Sequence, residues 1–310
     1  MSDKATFFIC HLLLLSPYQN SLFMRSLIDL HCHSTVSDGV LTPTEIVNLA
    51  GEKGIKVMAL TDHDDVDGLA TARASAETQG IQFIDGVEIS VTWRRRTLHI
   101  VGLKINPEYQ PLVDGLSNIR LGRHTRAVGM AQSLAKIGIH GALEGAYEFS
   151  KGSIISRTHF ARYLIEKGYA KDTKAVFKHY LVKGKPGYFE HQWASLEDVL
   201  AWIIGSGGVA VIAHPGRYDL GRVTMLELMH EFRALGGSAI EVVTGSHSVD
   251  QYQEFAKMAK QFDLAASMGS DYHGKGQTYI EMGRLPSLPS NCLPVWHDWP
   301  EVKSIELEAH

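Results

Sequence analysis

The sequence predicts an α/β protein of strand–helix units around a central sheet. Two observations predict it. Apolar, β-branched runs alternate with amphipathic stretches along most of the 310 residues. His, Asp or Glu then stands at the end of one run after another, as in a barrel whose strand ends share a rim.

The strands are expected at 26–30, 56–61, 81–84 with 87–89, 97–103, 208–213, 239–243 and 264–268. Helical apolar spacing occupies 44–53 (behind Pro43), 66–79, 196–204, 225–235 and 251–262. Seven such strands fit a barrel close to the (β/α)8 plan. Pattern alone also admits an open, doubly wound sheet.

Residues 107–193 break the alternation. They hold no convincing strand, but helical patterns at 115–137, 156–167 and 173–182, and read as a helical insertion between the fourth and fifth strands. The insertion carries 13 Lys and Arg against 7 Asp and Glu, a net of +6. The rest of the chain carries 17 against 27, a net of −10. An acidic barrel under a basic lid is therefore expected, in two stretches, 26–106 and 194–290.

Composition narrows the function classes. With 45% hydrophobic and 21% charged residues the chain suits a globular fold, and its net charge of −4 gives no global signal for nucleic acid. Cys10, Cys32 and Cys292 have no CxxC spacing, which argues against a disulfide framework or a zinc–thiolate site. The apolar run at 7–15 is too short to span a bilayer, and no clean cleavage site follows it. Residues 1–25, ending beside Met24, read as an N-terminal extension. A cytoplasmic protein with no membrane association and no obligate protein partner is expected.

Sixteen histidines are the unusual count. In IDLHCHSTVSDG (28–39), strand alternation puts His31 and His33 on one face and Cys32 on the other. Alone, such a pair is more readily a hydrogen-bonded strand end than a metal site. The other strands supply company: Asp38; Asp62, His63, Asp64 and Asp65 in TDHDD; Glu88 in GVEIS; His99; His214 in AHPGR; Asp271 and His273 in SDYH. Imidazole and carboxylate without thiolate suit Mn²⁺, Zn²⁺ or Fe²⁺. Nine ligands exceed the needs of one ion, so two or three ions sharing a carboxylate are expected, Mn²⁺ first among them.

HCH…D, TDHD, GVEIS, LHIVG, AHPGR and GSDYH together resemble the ordered motifs of the PHP (polymerase and histidinol phosphatase) metallophosphoesterases, across most of 26–285. GALEGA, RTHFARYL, KGKPGYF and the helix bearing Arg123 and Arg126 are similar to one branch. That branch removes the 3′-phosphate of 3′,5′-nucleoside bisphosphates and acts as a 5′→3′ exoribonuclease on short RNA. The resemblance implies a distorted (β/α)7 barrel of the PHP type. It implies one ion on His31, His33, Glu88 and Asp271, a second on Glu88, His99 and His214, and a third on Asp38, His63 and His273. Asp62 and Asp64 would stand behind these ligands, and Cys32 would be a core residue.

From this follows a mechanism with no protein nucleophile, in which hydroxide held between the metals attacks phosphorus. A substrate with two phosphates needs a second anion site, for which Arg120, Arg123, Arg126, Arg157, His159, Lys185 and Arg217 are candidates. Tyr188 or Trp193 can stack a base. The alternatives are a phosphatase of a small metabolite of the histidinol-phosphate type, a DNA exonuclease and a non-enzymatic metal module.

Overall fold

The computed structural model describes residues 26–150, 154–278 and 280–302. The expected N-terminal extension lies outside the described residues. Seven strands form one sheet in sequence order. They are β1 (Ile28–Asp29), β2 (Val57–Leu60), β3 (Gln82–Trp93), β4 (Arg96–Leu103), β5 (Val209–Ile212), β6 (Ala239–Thr244) and β7 (Ala265–Gly269).

β1 pairs with β2, β2 with β3, β5 with β6 and β6 with β7 in parallel. β4 runs against both neighbours, a departure from the all-parallel strands of the (β/α)8 plan that the strand–helix pattern suggests. The cause is local. Only Arg94 and Arg95 join β3 to β4, with φ of 45° and 63°, and so short a turn can only reverse the chain.

The sheet closes where β1 and β7 run out. Leu30 N–H donates to Met268 O at 3.0 Å, Asp271 N–H to His31 O at 2.8 Å and His33 N–H to Tyr272 O at 2.9 Å. These bonds curl it into a nearly closed seven-stranded barrel, not an open doubly wound sheet. The approach is close enough to require glycine: a Cβ on Gly269 would lie 2.2 Å from that of His31.

Helices α1 (Pro43–Glu52) and α2 (Leu69–Gln79) follow the first two strands, α7 (Leu196–Gly205) leads into β5, and α8 (Arg222–Ala234) and α9 (Val249–Gln261) follow β5 and β6. Thr42 and Glu45 close a capping box ahead of α1. β2 and β6 are buried along their whole length, as strands under helices on a barrel must be.

Between β4 and β5 stand α3 (Gln110–Ala135), α4 (Ala142–Ser150), α5 (Arg157–Glu166) and α6 (Thr173–Val176), which continues as a π-helical turn, Phe177–Leu181. Sequence periodicity missed α4, because GALEGAYEFS carries two glycines, poor helix formers. Packing overrides that preference. Gly145 lies where a Cβ would come within 2.0 Å of the Tyr163 ring. Ala127, Leu134, Ala146, Phe160, Leu164 and Leu181 then make a hydrophobic core separate from that of the barrel. Among the described residues no helix is long and apolar enough to cross a membrane.

His159, expected at the substrate, is 1% exposed and caps α5. Its Nδ1 accepts the Ser156 N–H at 3.1 Å. Burial pushes its pKa down to about 4, against the pull of Asp38. The unfolded chain therefore takes up this proton first as pH falls below about 6.5, and the folded state loses stability down to pH 4. His159→Gln keeps the cap and removes the titration. Denaturant melts should show the stability difference moving in the variant's favour by up to about 1.4 kcal/mol per pH unit between those values. A pH-independent difference would contradict the assignment.

Candidate metal centre

Four donors from three elements meet beneath the rim. His31 and His33 come from the extension of β1, Glu88 from β3 and Asp271 from the loop after β7. His31 Nε2 lies 3.1 Å from His33 Nε2. Glu88 Oε2 is 3.3 Å from both nitrogens, and Asp271 Oδ1 is 3.6 and 3.3 Å from them. Donors about 2.1 Å from a shared ion stand roughly 3.4 Å apart at tetrahedral corners, so this spacing fits a cation at their centre. Cys32 points the other way, its Sγ 3.2 Å from Ala59 O.

The other Glu88 oxygen faces a second group. His99 Nδ1 is 2.9 Å from Oε1 and His214 Nε2 is 2.8 Å from it. His99 lies opposite Ser90 in the β3–β4 ladder. Because β4 is reversed, His99 reaches the rim from the first half of its strand, not from a carboxyl end. In a third group His273 Nε2 is 3.1 Å and His63 Nε2 3.9 Å from Asp38 Oδ1. His33 also lies within reach of this group, and His63 within reach of Glu88 and His99. All nine sequence-predicted ligands are thus brought together.

Asp38 Oδ1, Glu88 Oε2 and Asp271 Oδ1 are buried, and the imidazole nitrogens that face them at 3.1, 2.9 and 3.3 Å make no well-aligned hydrogen bond to them. Buried anionic oxygens left so are costly without a cation among them. Burial opposes ionisation of Asp38, Glu88 and Asp271, yet the surrounding imidazoles, with Arg217 at Asp271, hold all three well below the usual carboxylate range. Burial likewise opposes charge on His31 and His33. The facing carboxylates win there, lifting His31 well above its usual value and His33 to about 9. At His63 and His214 burial wins, and both fall to about 4. Acceptor-only oxygens and imidazoles in one dry cage form a site where cations replace protons.

Asp62 and Asp64 brace the loops behind the cage. Asp62 accepts from Ser34 N–H at 2.7 Å and from the Ser34 and Ser37 hydroxyls at 2.6 Å. Asp64 accepts from Ser90 N–H at 2.7 Å and from Arg123 Nε at 2.7 Å. Sequence reading missed Glu241. It is 1% exposed, and its Oε1 lies 2.7 Å from His31 Nδ1. One signal was available: a lone carboxylate inside the apolar run AIEVV demands a buried partner.

The arginines divide. Arg123 is buried and spent on Asp64 and on Ser90 Oγ, 3.0 Å away. Arg120 donates to Asp64 O at 2.9 Å. Arg217 Nη1 is 2.5 Å from Asp271 Oδ2. Arg126 and Arg157 line the pocket with Asp38, His63, His99, His273, Phe177 and Trp193. Burial and neighbouring guanidiniums push both below the usual arginine range. Arg126 lies 5.2 Å over Trp193 and Arg157 5.4 Å over Phe177. Lys185 is exposed and Tyr188 half-buried, and neither is among the residues lining this pocket.

Comparison with known proteins agrees with this arrangement. The family described as PHP domain matches residues 29–207. A 3′,5′-nucleoside bisphosphate phosphatase of Chromobacterium violaceum is 51% identical over 87% of this chain and 95% of its own. A 5′-3′ exoribonuclease of Haemophilus influenzae is 40% identical over 88% of this chain and 99% of its own. A solved structure of a Chromobacterium violaceum amidohydrolase, with sulfate bound and no metal, superposes with a TM-score of 0.85 at 50% identity. It covers 92% of this chain and 96% of its own. The barrel, its rim of imidazoles and carboxylates, and these matches together make the chain a member of the PHP domain family.

Proposed function

We propose that this protein is a metal-dependent phosphoesterase that removes the 3′-phosphate of 3′,5′-nucleoside bisphosphates, such as adenosine 3′,5′-bisphosphate, and degrades short 5′-phosphorylated RNA from its 5′ end. One observation carries the reading. A cage fitted to small divalent cations shares its pocket with Arg126 and Arg157, whose guanidiniums hydrogen-bond to no carboxylate among the described residues. Two anion sites side by side suit a substrate with two phosphates. The names of the phosphatase and exoribonuclease relatives support the same substrate class.

His31, His33, Glu88 and Asp271 would hold one ion, Glu88, His99 and His214 a second, and Asp38, His63 and His273 a third. The oxygen and imidazole donors suit Mn²⁺, with Zn²⁺ and Fe²⁺ close rivals. Bound there, divalent ions supply Lewis acidity towards phosphoryl oxygens and lower the pKa of water towards neutrality. Arg126 and Arg157 then grip the second phosphate through charge-assisted hydrogen bonds. Phe177 and Trp193 wall the pocket with apolar rings. Residues 107–193 act as the lid that delivers these groups, and 26–106 with 194–290 as the barrel beneath it. The two pocket serines are engaged by carboxylates, Ser156 Oγ donating to Asp38 at 2.8 Å and Ser90 Oγ to Asp64 at 3.0 Å. No Ser or Cys of this pocket is therefore assigned as a nucleophile.

Phosphate release should be measured from adenosine 3′,5′-bisphosphate, histidinol phosphate and labelled 5′-phosphorylated RNA. Chelation with EDTA should abolish hydrolysis of the bisphosphate and RNA, and Mn²⁺ should restore it. Full turnover in chelator, or preference for histidinol phosphate, would contradict the reading.

Arg126→Ala or Arg157→Ala should raise KM for the bisphosphate by about 10- to 100-fold, the loss of one charge-assisted bond. KM for an aryl monophosphate should change less than about twofold. Equal effects on the two substrates would remove the second-phosphate site.

A further inference from the structure

We propose that Glu241 is a positioning residue for two members of the cage at once, fixing the tautomer of His31 and the backbone of His214. This rests on the metal centre proposed above. Glu241 lies on β6 at the register shift between Glu241 and Val243, the kind of irregularity that re-aims a side chain. Its two oxygens do different work. Oε1 stands 2.7 Å from His31 Nδ1, and Oε2 accepts the His214 N–H at 2.5 Å.

An ionised carboxylate only accepts, so His31 Nδ1 must carry the hydrogen of this bond. In the neutral ring Nε2 is then left with its lone pair, and Nε2 is the atom that faces His33, Glu88 and Asp271. The second bond holds a strained residue. His214 has φ 29° and ψ 57°, a conformation unfavourable for a side chain with a Cβ. From it the ring places Nε2 at 2.8 Å from Glu88 Oε1. One carboxylate therefore orients a donor on each side of Glu88. Among the described residues, no Lys or Arg forms a salt bridge with Glu241.

Glu241→Gln tests this with little change in shape. An amide offers one acceptor oxygen, so only one of the two bonds can survive. Glu241→Asp keeps two acceptors on a shorter stem. Calorimetric titration of the metal-free chains with Mn²⁺ reads the outcome, with melting in EDTA as the measure of folding. Glu241→Gln should load Mn²⁺ about 10- to 100-fold more weakly at one or more sites. Its melting transition in EDTA should stay close to the parent's, and Glu241→Asp should recover part of the affinity. A Glu241→Gln protein that loads as the parent does overturns the proposal. So does a loss in both variants that only follows a collapsed transition in EDTA. A parent that takes up no Mn²⁺ overturns the metal reading, and this inference with it.

Discussion

The rim of this barrel is organised around one buried carboxylate. Glu88 is fully enclosed, and its two oxygens are reached by five imidazoles from four separate places in the chain: His31 with His33, His63, His99 and His214. So little solvent would leave an isolated carboxylate protonated. Here converging donors hold it ionised, and its charge in turn fixes where they can sit. The barrel supplies that convergence. Its strands end on one side, and the reversed β4 brings His99 to the same side from the opposite direction.

Such crowding is maintained against local preference. His214, Asp64 and Asp271 all have positive φ without being glycine, and each belongs to the cage or the loops behind it. The restraints are visible: Glu241 on the His214 backbone, Ser90 and Arg123 on Asp64, and the barrel-closing bond from Asp271 N–H to His31 O. α3 thus does two jobs. Arg123 ties the insertion to the loop carrying His63, while Arg126, one turn on, is left for the pocket. Three residues along one helix separate a brace from a guanidinium that lines the pocket.

Much of this was legible in the sequence, because strand alternation and strand ends are local features. His31, Cys32 and His33 took the faces that period two assigns them. Three things were not legible, each for a nonlocal reason. The antiparallel run of β4 depends on the Arg94–Arg95 turn, which carries neither of the glycine or asparagine signals usual for it. α4 exists because Tyr163 packs against Gly145, a contact that no window around GALEGAYEFS contains. Which arginines are free depends on whether an acid stands opposite. Arg120, Arg123 and Arg126 look alike at threefold spacing, yet only the first two meet the Asp64 loop.

The central claim is that the nine converging side chains are a cage for a cluster of divalent cations, with Glu88 shared between neighbours. The most direct measurement is the metal content per chain after Mn²⁺ loading and desalting, for the parent and for Glu88→Gln. The account predicts two or three ions in the parent and a loss of at least one in the variant. A parent retaining no ion, or a variant with the parent's full complement, would contradict it.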